Sequence, residues 1–298
     1  MKNELIIRYL ETTSRCNYNC PICIERTRNF DMSDNDFYSI VDKNRENFFG
    51  QRLWVDFCGE PLMDSHIFER IRFLTSIGSI VQLSTNGSLL NNENIIELVN
   101  SGVKYVVVSI PSLYADIYKT LRGIDNLEAV LNNLYKLKCY INDSASNVQL
   151  QAVAIDIGED FNKDEYIQFF HEKAIHSAIH QFTNRAHNSR INISIKHNIP
   201  KRAECIGLKQ NIAILSDCEV VTCCCDLSGQ NSLGNLHNFD YSLTELIKAS
   251  RLDDIIDEQK QHIYKNVCKN CDDWIFYQME STEEYVQVYS YDSCSQKI

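Results

Sequence analysis

Eleven of the thirteen cysteines fall into two groups at opposite ends of the chain. Cys16, Cys20 and Cys23 form one; Cys205, Cys218, Cys223, Cys224, Cys225, Cys268, Cys271 and Cys294 form the other, with only Cys58 and Cys139 between. The opening MKNELIIRYLETTSRCNYNC has one lysine followed by an acid and a short apolar-leaning run broken by Arg8, which is not the pattern of a secretory leader. A cytoplasmic location is therefore expected. In that reducing compartment clustered thiols point to metal binding or catalysis rather than to disulfides. The fold must gather each group of thiols around one point while burying a core drawn from the 44% of residues that are apolar.

Between the two groups, short apolar runs alternate with stretches of helical period. LIIRYLE (5–11), RLWVDF (52–57), SIVQLST (79–85), YVVVSI (105–110) and VQLQAVAID (148–156) read as strands, and AIHQFT (178–183) as a weaker sixth. Residues 35–49, 65–78, 92–102 and 127–139 read as helices, with Gly78 and Gly102 at C-caps. This alternation predicts an α/β fold with a parallel sheet, whose chemistry collects at the C-terminal ends of the strands. The cysteine triplet follows the first strand and Cys58-Gly59-Glu60-Pro61 the second, while Ser84-Thr85-Asn86-Gly87 ends the third and Ser109 the fourth. All four motifs converge on one face. From about residue 195 the rhythm gives way to cysteines and hairpin-like pieces such as IAILSDCEVVTC, so we divide the chain into domains 1–195 and 196–298. With 29 Lys and Arg against 40 Asp and Glu, net charge −11, there is no basic cluster for nucleic acid. No run approaches the roughly 18 apolar residues of a membrane helix.

An iron–sulfur cubane has four irons, normally held by four thiolates. C-x3-C-x2-C at Cys16, Cys20 and Cys23 offers three, leaving one iron open to a chelating amino acid. Taken alone the triplet also suits zinc or a redox site; the three motifs that follow in order argue against those. Together they resemble the radical S-adenosylmethionine (SAM) superfamily. The resemblance implies a partial (β/α)6 TIM barrel, SAM as cofactor, and a [4Fe–4S] cluster on Cys16, Cys20 and Cys23. It implies that Gly59, Glu60 and Pro61 lie at the SAM amino group, with Cys58 replacing the first glycine of a Gly-Gly-Glu-Pro motif. Ser84 and Asn86 match the family's Ser/Thr-Asn-Gly segment. VSIPSLYADIYKTLRG is similar to the family's segment that sets a serine, here Ser109, near the ribose and an arginine, here Arg122, near the SAM carboxylate; Pro111 stands where the family usually has an acid. The residue types suit these tasks, since a carboxylate accepts from an ammonium and an arginine forks onto a carboxylate.

The C-terminal third is similar to the auxiliary-cluster extensions called SPASM and the shorter twitch. It reads Cys205, a gap, Cys218 where the pattern has glycine, then Cys223, Gly234-Asn235 and Cys268-x2-Cys271. The resemblance implies a second [4Fe–4S] cluster on Cys205, Cys223, Cys268 and Cys271. The stretch DDWIFYQMESTEEY after Cys271 lacks the further cysteines of a full SPASM domain, which favours the one-cluster twitch form, and Cys294 is isolated. The same four thiolates would also build a zinc ribbon. Cys224 and Cys225 read either as packing or as catalytic hydrogen-atom donors. Cys139, beside Leu131, Leu134 and Leu137 in helical spacing, reads as a buried thiol. His171, His176 and His180 lack a third metal ligand. Arg185, in Thr183-Asn184-Arg185, can face substrate, the SAM carboxylate or solvent. The tail with Trp274, Tyr277, Tyr285, Tyr289 and Tyr291 suits either the lining of a substrate mouth or packing over the barrel, and packing is the favoured reading.

The resemblance implies that a flavodoxin- or ferredoxin-type reductant supports cleavage of SAM to methionine and a 5′-deoxyadenosyl radical, which takes a hydrogen atom from substrate. Ligand spacing and compactness are most similar to the twitch-bearing dehydrogenases of aminoglycoside synthesis. Oxidation of an alcohol carbon in a sugar or amino-cyclitol, with the auxiliary cluster as electron acceptor, is the leading expectation. One rival is a peptide-modifying enzyme, an epimerase or crosslinker of a ribosomally made peptide, using Cys224 or Cys225 as hydrogen donor. The other is a non-enzymatic iron–sulfur or zinc protein, against which Glu60, Asn86 and Arg122 stand.

Overall fold

The computed structural model describes residues 5–24, 26–158, 161–182, 190, 202, 204–205, 207–271 and the backbone of 286–289. The apolar runs of the first half form β1 (Ile7–Leu10), β2 (Arg52–Trp54), β3 (Ile80–Thr85), β4 (Tyr105–Ser109), β5 (Gln149–Asp156) and β6 (His176–Gln181). These lie parallel and side by side in chain order, in register Tyr9 to Trp54, Leu53 to Val81, Leu83 to Val106, Val107 to Gln151 and Val153 to Ala178. A parallel sheet is covered on both faces, which is why the consecutive Val106, Val107 and Val108 are all buried.

The crossovers are α1 (Asp34–Lys43) and α2 (Arg45–Phe48) after β1, α3 (Ile67–Ser76) after β2, α4 (Asn92–Asn100) after β3, α5 (Ala115–Arg122) and α6 (Leu127–Asp143) after β4, and α7 (Lys163–His171) after β5. Ser33, Asn91 and Asn162 cap α1, α4 and α7, each side chain accepting from a backbone N–H in the first turn. Each longer helix buries one stripe: Phe37, Ile40 and Val41 on α1, Ile67, Ile71 and Leu74 on α3, Val130, Leu134, Leu137 and Ile141 on α6. This is the partial (β/α)6 barrel that the sequence led us to expect.

The C-terminal region extends the same sheet. After α8 (Gly207–Gln210), β7 (Ile212–Ile214) pairs parallel with β1, and β8 (Glu219–Val221) and β9 (Ser232–Asn235) follow antiparallel. Leu246 of α9 (Leu243–Ala249) and Ile255 and Ile256 of α10 (Leu252–Lys260) join the apolar cluster that holds the barrel strands. At the far edge, β10 (Val286–Tyr289) runs antiparallel to β6. The boundary at 195 falls outside the described residues. Among the described residues no helix is long and apolar enough to cross a membrane.

The structure corrects several expectations. The helix over 35–49 is two, broken at Asn44, whose amide donates to the Ile40 and Tyr241 carbonyls and accepts from Leu243 N–H, pinning the break to the C-terminal region. Cys139 is exposed: it lies two positions, about 200° of helix turn, beyond buried Leu137, so it leaves the apolar stripe. The sixth strand starts two residues earlier than expected and takes in both His176 and His180. Helices α5 and α7 were not anticipated from the apolar pattern. Thr183, Asn184, Arg185, Trp274, Tyr277, Tyr285, Tyr291 and Cys294 lie outside the described residues, as does the side chain of Tyr289.

Candidate active site

The loop leaving β1 carries the first three cysteines and is closed at its stem. Met32 N–H donates to Thr12 O at 2.9 Å and Ser14 N–H to Phe30 O at 3.0 Å, while Arg15 pairs with Asp31 at 2.7 Å. Beneath the stem lies Arg70 of α3, whose Nη1 reaches Thr12 O at 3.3 Å and Asp64 Oδ2 at 3.0 Å. Its Nη2 reaches Met32 O at 2.6 Å and Asp34 Oδ1 at 2.9 Å. Within the loop, Cys23 N–H donates to Cys20 O at 3.1 Å and Tyr18 N–H to Cys16 Sγ at 3.4 Å. Cys20 is buried, whereas Cys16 and Cys23 are partly exposed. The hydrogen bond between the Cys20 and Cys23 thiols, together with burial, pushes the Cys20 thiol up; Arg122, with Nη1 3.7 Å from Cys20 Sγ, opposes this. Tyr18, Ile22, Leu121 and Phe182 form an apolar wall around the three sulfurs.

The loop after β2 packs directly on that stem. A Cβ on Gly59 would lie 2.3 Å from Thr13 O and 2.6 Å from Arg15 O, so only glycine fits. Glu60 N–H donates to Arg15 O at 2.7 Å, and Pro61 opens a short 3₁₀ turn (Pro61–Met63). The Glu60 carboxylate is 2% exposed. Its Oε1 accepts from Leu62 N–H at 3.2 Å and Thr85 Oγ1 at 2.7 Å, and Oε2 from Asn86 N–H at 2.8 Å. Burial raises its pKa against those hydrogen bonds. The Asn86 amide reaches back to Asn17 Oδ1 at 2.9 Å, so the loops after β1, β2 and β3 form one network. At the end of β4, Ser109 O accepts from Arg122 Nη2 at 2.6 Å. Arg122 Nε is buried with no hydrogen-bond partner among the described residues.

Two carboxylates on this face were not singled out from sequence. Asp56, just beyond β2, accepts from Ser84 N–H at 2.7 Å, and burial, with nearby Glu60, lifts its pKa from 3.8 to about 7. Glu11, just beyond β1, is 0% exposed and accepts from Ser216 N–H and Oγ, both at 3.0 Å, from Arg28 at 3.1 Å and from Cys58 N–H at 3.3 Å. It joins the cysteine loop, the Cys58 loop and the turn after β7. The signal for either was an acid at or next to the C-terminal end of a predicted strand.

The second group of thiols meets beside α10. Cys225 and Cys268 are buried with Val267, and Cys223, Cys224, Cys271 and Tyr264 pack against them. The Sγ atoms of Cys223, Cys224 and Cys225 lie within 4.8 Å of one another. Burial, with Cys271 and Cys268 nearby, pushes the Cys205 thiol up to about 12; burial and Cys271 push Cys268 to about 11. Two buried amides aim at Cys268 Sγ, Asn231 Nδ2 at 3.3 Å and Gln259 Nε2 at 3.4 Å, and Gln259 Oε1 accepts from Cys205 N–H at 3.0 Å. Sequence reading missed both amides.

A parallel partial barrel with a three-thiol loop after its first strand, a Gly-Glu-Pro turn packed on that loop after its second and a second set of thiols at its C-terminal side defines a radical SAM core with an auxiliary iron–sulfur site. The model of the radical SAM superfamily matches residues 10–157, and that of the SPASM iron–sulfur cluster-binding domain matches residues 205–272. The chain belongs to the radical SAM superfamily and is a radical SAM enzyme with a SPASM domain, which sets aside the non-enzymatic reading. Its cofactors are SAM and a [4Fe–4S] cluster, with auxiliary iron–sulfur in the SPASM domain. The GTP 3′,8-cyclase of Clostridium perfringens (strain 13) is 31% identical over 166 residues, 53% of this chain and 48% of that protein. The chain spans about half the length of the curated relatives it matches. Among solved structures, BtrN in complex with AdoMet and 2-DOIA aligns at TM-score 0.59 and 18% identity, covering 96% of this chain and 100% of that one. SuiB of Streptococcus suis, bound to its precursor peptide SuiA, aligns at TM-score 0.66 and 13% identity, covering 90% of this chain and 76% of that one. The residues fit these cofactors: three thiols share an apolar wall, and the buried Arg122 Nε lacks a partner among the described residues.

Proposed function

We propose that the chain oxidises the alcohol carbon of a sugar or amino-cyclitol-type small molecule; the observation that carries this reading is Asp56. When bound, the cluster and SAM supply a 5′-deoxyadenosyl radical able to take a hydrogen atom from a substrate carbon. In this reading Cys16, Cys20 and Cys23 hold the cluster, while Gly59, Glu60, Pro61, Ser84, Asn86, Ser109 and Arg122 form the SAM site. Both oxygens of Glu60 are already engaged by Leu62, Thr85 and Asn86, so Glu60 acts by fixing the backbone around the SAM amino group. Arg122 Nε is the donor left for the SAM carboxylate. Cys205, Cys223, Cys268 and Cys271 hold the auxiliary cluster, and Asn231 and Gln259 donate to Cys268. A flavodoxin- or ferredoxin-type protein delivers electrons.

Turning a carbinol into a ketone removes a hydrogen atom, a proton and an electron, and the proton needs a base. Asp56 is partly exposed beside the strand ends and has a pKa of about 7, which suits it to that transfer near neutral pH. The auxiliary cluster is the electron acceptor. BtrN, solved with AdoMet and 2-DOIA, lends a small-molecule precedent for the fold. With dithionite, SAM and a panel of amino-cyclitols and sugar alcohols, the reconstituted enzyme is expected to form ketone at a rate that rises with pH through about 7. Asp56→Asn is expected to lower that rate roughly 10²–10³-fold and flatten the pH profile while 5′-deoxyadenosine is still made. Because folding raises this pKa from 3.8 to about 7, the stability linked to Asp56 is complete below about pH 4 and lost as the pH rises to about 7. Asp56→Asn should flatten that dependence too, and an unaltered ketone rate in the variant would remove Asp56 from the mechanism.

A second reading, the epimerase or crosslinker of a ribosomally made peptide, draws on Cys224. Of the two candidate hydrogen donors Cys225 is 2% exposed, whereas Cys224 is partly exposed and able to meet a substrate. SuiB, solved with its precursor peptide, supplies the precedent for the fold. Under the alcohol-oxidation reading Cys224→Ala is expected to leave ketone formation within about twofold. Loss of a peptide product with continued 5′-deoxyadenosine release in Cys224→Ala would instead select the peptide reading.

A further inference from the structure

Cys218 stands where the SPASM pattern has glycine, and its backbone is left-handed, with φ +66°. That conformation is sterically disfavoured for any residue with a Cβ, so a thiol there calls for an explanation. The fully buried Cys218 sits at the β7–β8 turn, with its N–H on Leu215 O at 2.8 Å and its O accepting from Leu236 N–H at 3.0 Å. The second of these bonds brings His237, the next residue, alongside. Opposite lies Asp36 in the first turn of α1. Cys218 Sγ, a His237 ring nitrogen and an Asp36 carboxylate oxygen lie within 4.8 Å of one another. His237 Nε2 is 2.7 Å from Asp36 Oδ1.

We propose that Asp36, Cys218 and His237 form a zinc site, separate from both iron–sulfur cluster sites, that fastens the SPASM region to α1 of the barrel. One thiolate, one imidazole and one carboxylate are a donor set suited to zinc: too soft for magnesium or calcium, and too poor in sulfur for an iron–sulfur cluster. Tetrahedral zinc with bonds of about 2.0–2.3 Å spaces its ligand atoms about 3.3–3.8 Å apart, which these side chains reach by small adjustments. Binding exchanges the Cys218 thiol proton for the metal and releases it to solvent. The carboxylate is already oriented as a ligand should be: Ser33 Oγ donates to Asp36 Oδ2 at 2.7 Å and Tyr241 OH to Oδ1 at 2.8 Å. The His237 side chain is 49% exposed, which gives the ion an entry path and leaves the fourth position to water. The three ligands come from α1, the β7–β8 turn and the 3₁₀ turn after β9 (Leu236–Phe239), so the metal would cross-link segments about 200 residues apart, as the 201-residue separation of Asp36 and His237 shows.

The test uses the full chain with its iron–sulfur clusters reconstituted, stripped of loosely held metal, then exposed to Zn²⁺ and desalted. One zinc per chain is expected. Cys218→Gly, which keeps the left-handed turn without strain, and His237→Ala should each lose that zinc with iron per chain unchanged. X-ray absorption at the zinc edge should find one sulfur and three nitrogen or oxygen neighbours in the wild type. Equal zinc uptake by wild type and Cys218→Gly, no uptake by the wild type, or an all-sulfur zinc environment would each overturn the proposal.

Discussion

Replacing Arg70 by methionine is expected to cost about 3–5 kcal/mol of folding stability and to lower iron retention at the N-terminal cysteine loop, read by urea unfolding and by iron per chain. The Arg70 side chain is 2% exposed and pairs with Asp64, also 2% exposed, at 3.0 Å. Breaking such a pair from one side leaves a buried carboxylate without its counter-charge. Burial already raises the pKa of Asp64 and Arg70 lowers it, so the variant drives Asp64 toward its neutral form. The functional consequence follows from the other partners. Arg70 donates to the carbonyls of Thr12 and Met32, the two ends of the loop that carries Cys16, Cys20 and Cys23. It therefore fixes the width of the loop stem. Lysine cannot reproduce this, because one ammonium does not span four acceptors in a planar fork. Adding Asp64→Asn to the methionine variant should restore part of the stability without restoring iron. A stability loss below about 1 kcal/mol would show that the clamp is not needed.

Arg70 also marks where sequence reading stops. On the amphipathic α3 an arginine between Glu69 and Ile71 reads as part of the solvated face, and its partners at Thr12 and Met32 are 58 and 38 residues away. The six strands were legible because a parallel sheet buries both faces and so imposes runs such as YVVVSI. The cysteine loop and the Gly59-Glu60-Pro61 turn were legible because their chemistry needs fixed local spacing. What spacing could not supply was long-range hydrogen bonding. Asn44 sits at the helix break with its amide donating to Tyr241 O and accepting from Leu243 N–H, and Glu60 turns its carboxylate onto Thr85 and Asn86. Cys139 was misread because the apolar stripe of α6 runs from Leu137 to Ile141 and leaves the position between them on the solvent side. Asp56 went unnoticed because its raised pKa comes from burial among strand ends that only the fold brings together.

The close packing at Gly59 yields the other large effect. Gly59→Ala is expected to lower SAM-dependent 5′-deoxyadenosine formation about 100-fold, measured on reconstituted protein against the wild type. The new methyl group would lie 2.3 Å from Thr13 O, 2.6 Å from Arg15 O and 3.0 Å from Ser14 C, all backbone atoms of the cysteine-loop stem. No flexible side chain is available to yield, so the two loops must separate, straining the Glu60 N–H to Arg15 O bond of 2.7 Å. Overpacking of this kind usually costs about 1–3 kcal/mol, and contact with fixed carbonyls puts it at the upper end. Gly87→Ala makes a useful contrast. Gly87 has φ +79°, and its added Cβ would approach Val108 and Val130 side-chain atoms at 2.9 Å, so it strains the turn without touching the cysteine stem. Iron per chain should therefore fall in Gly59→Ala and hold in Gly87→Ala. Wild-type iron and wild-type 5′-deoxyadenosine formation in Gly59→Ala would mean that the second loop can move freely against the first. In that case the close packing of Gly59 on Thr13 and Arg15 is not what holds the SAM site in register with the cysteine loop.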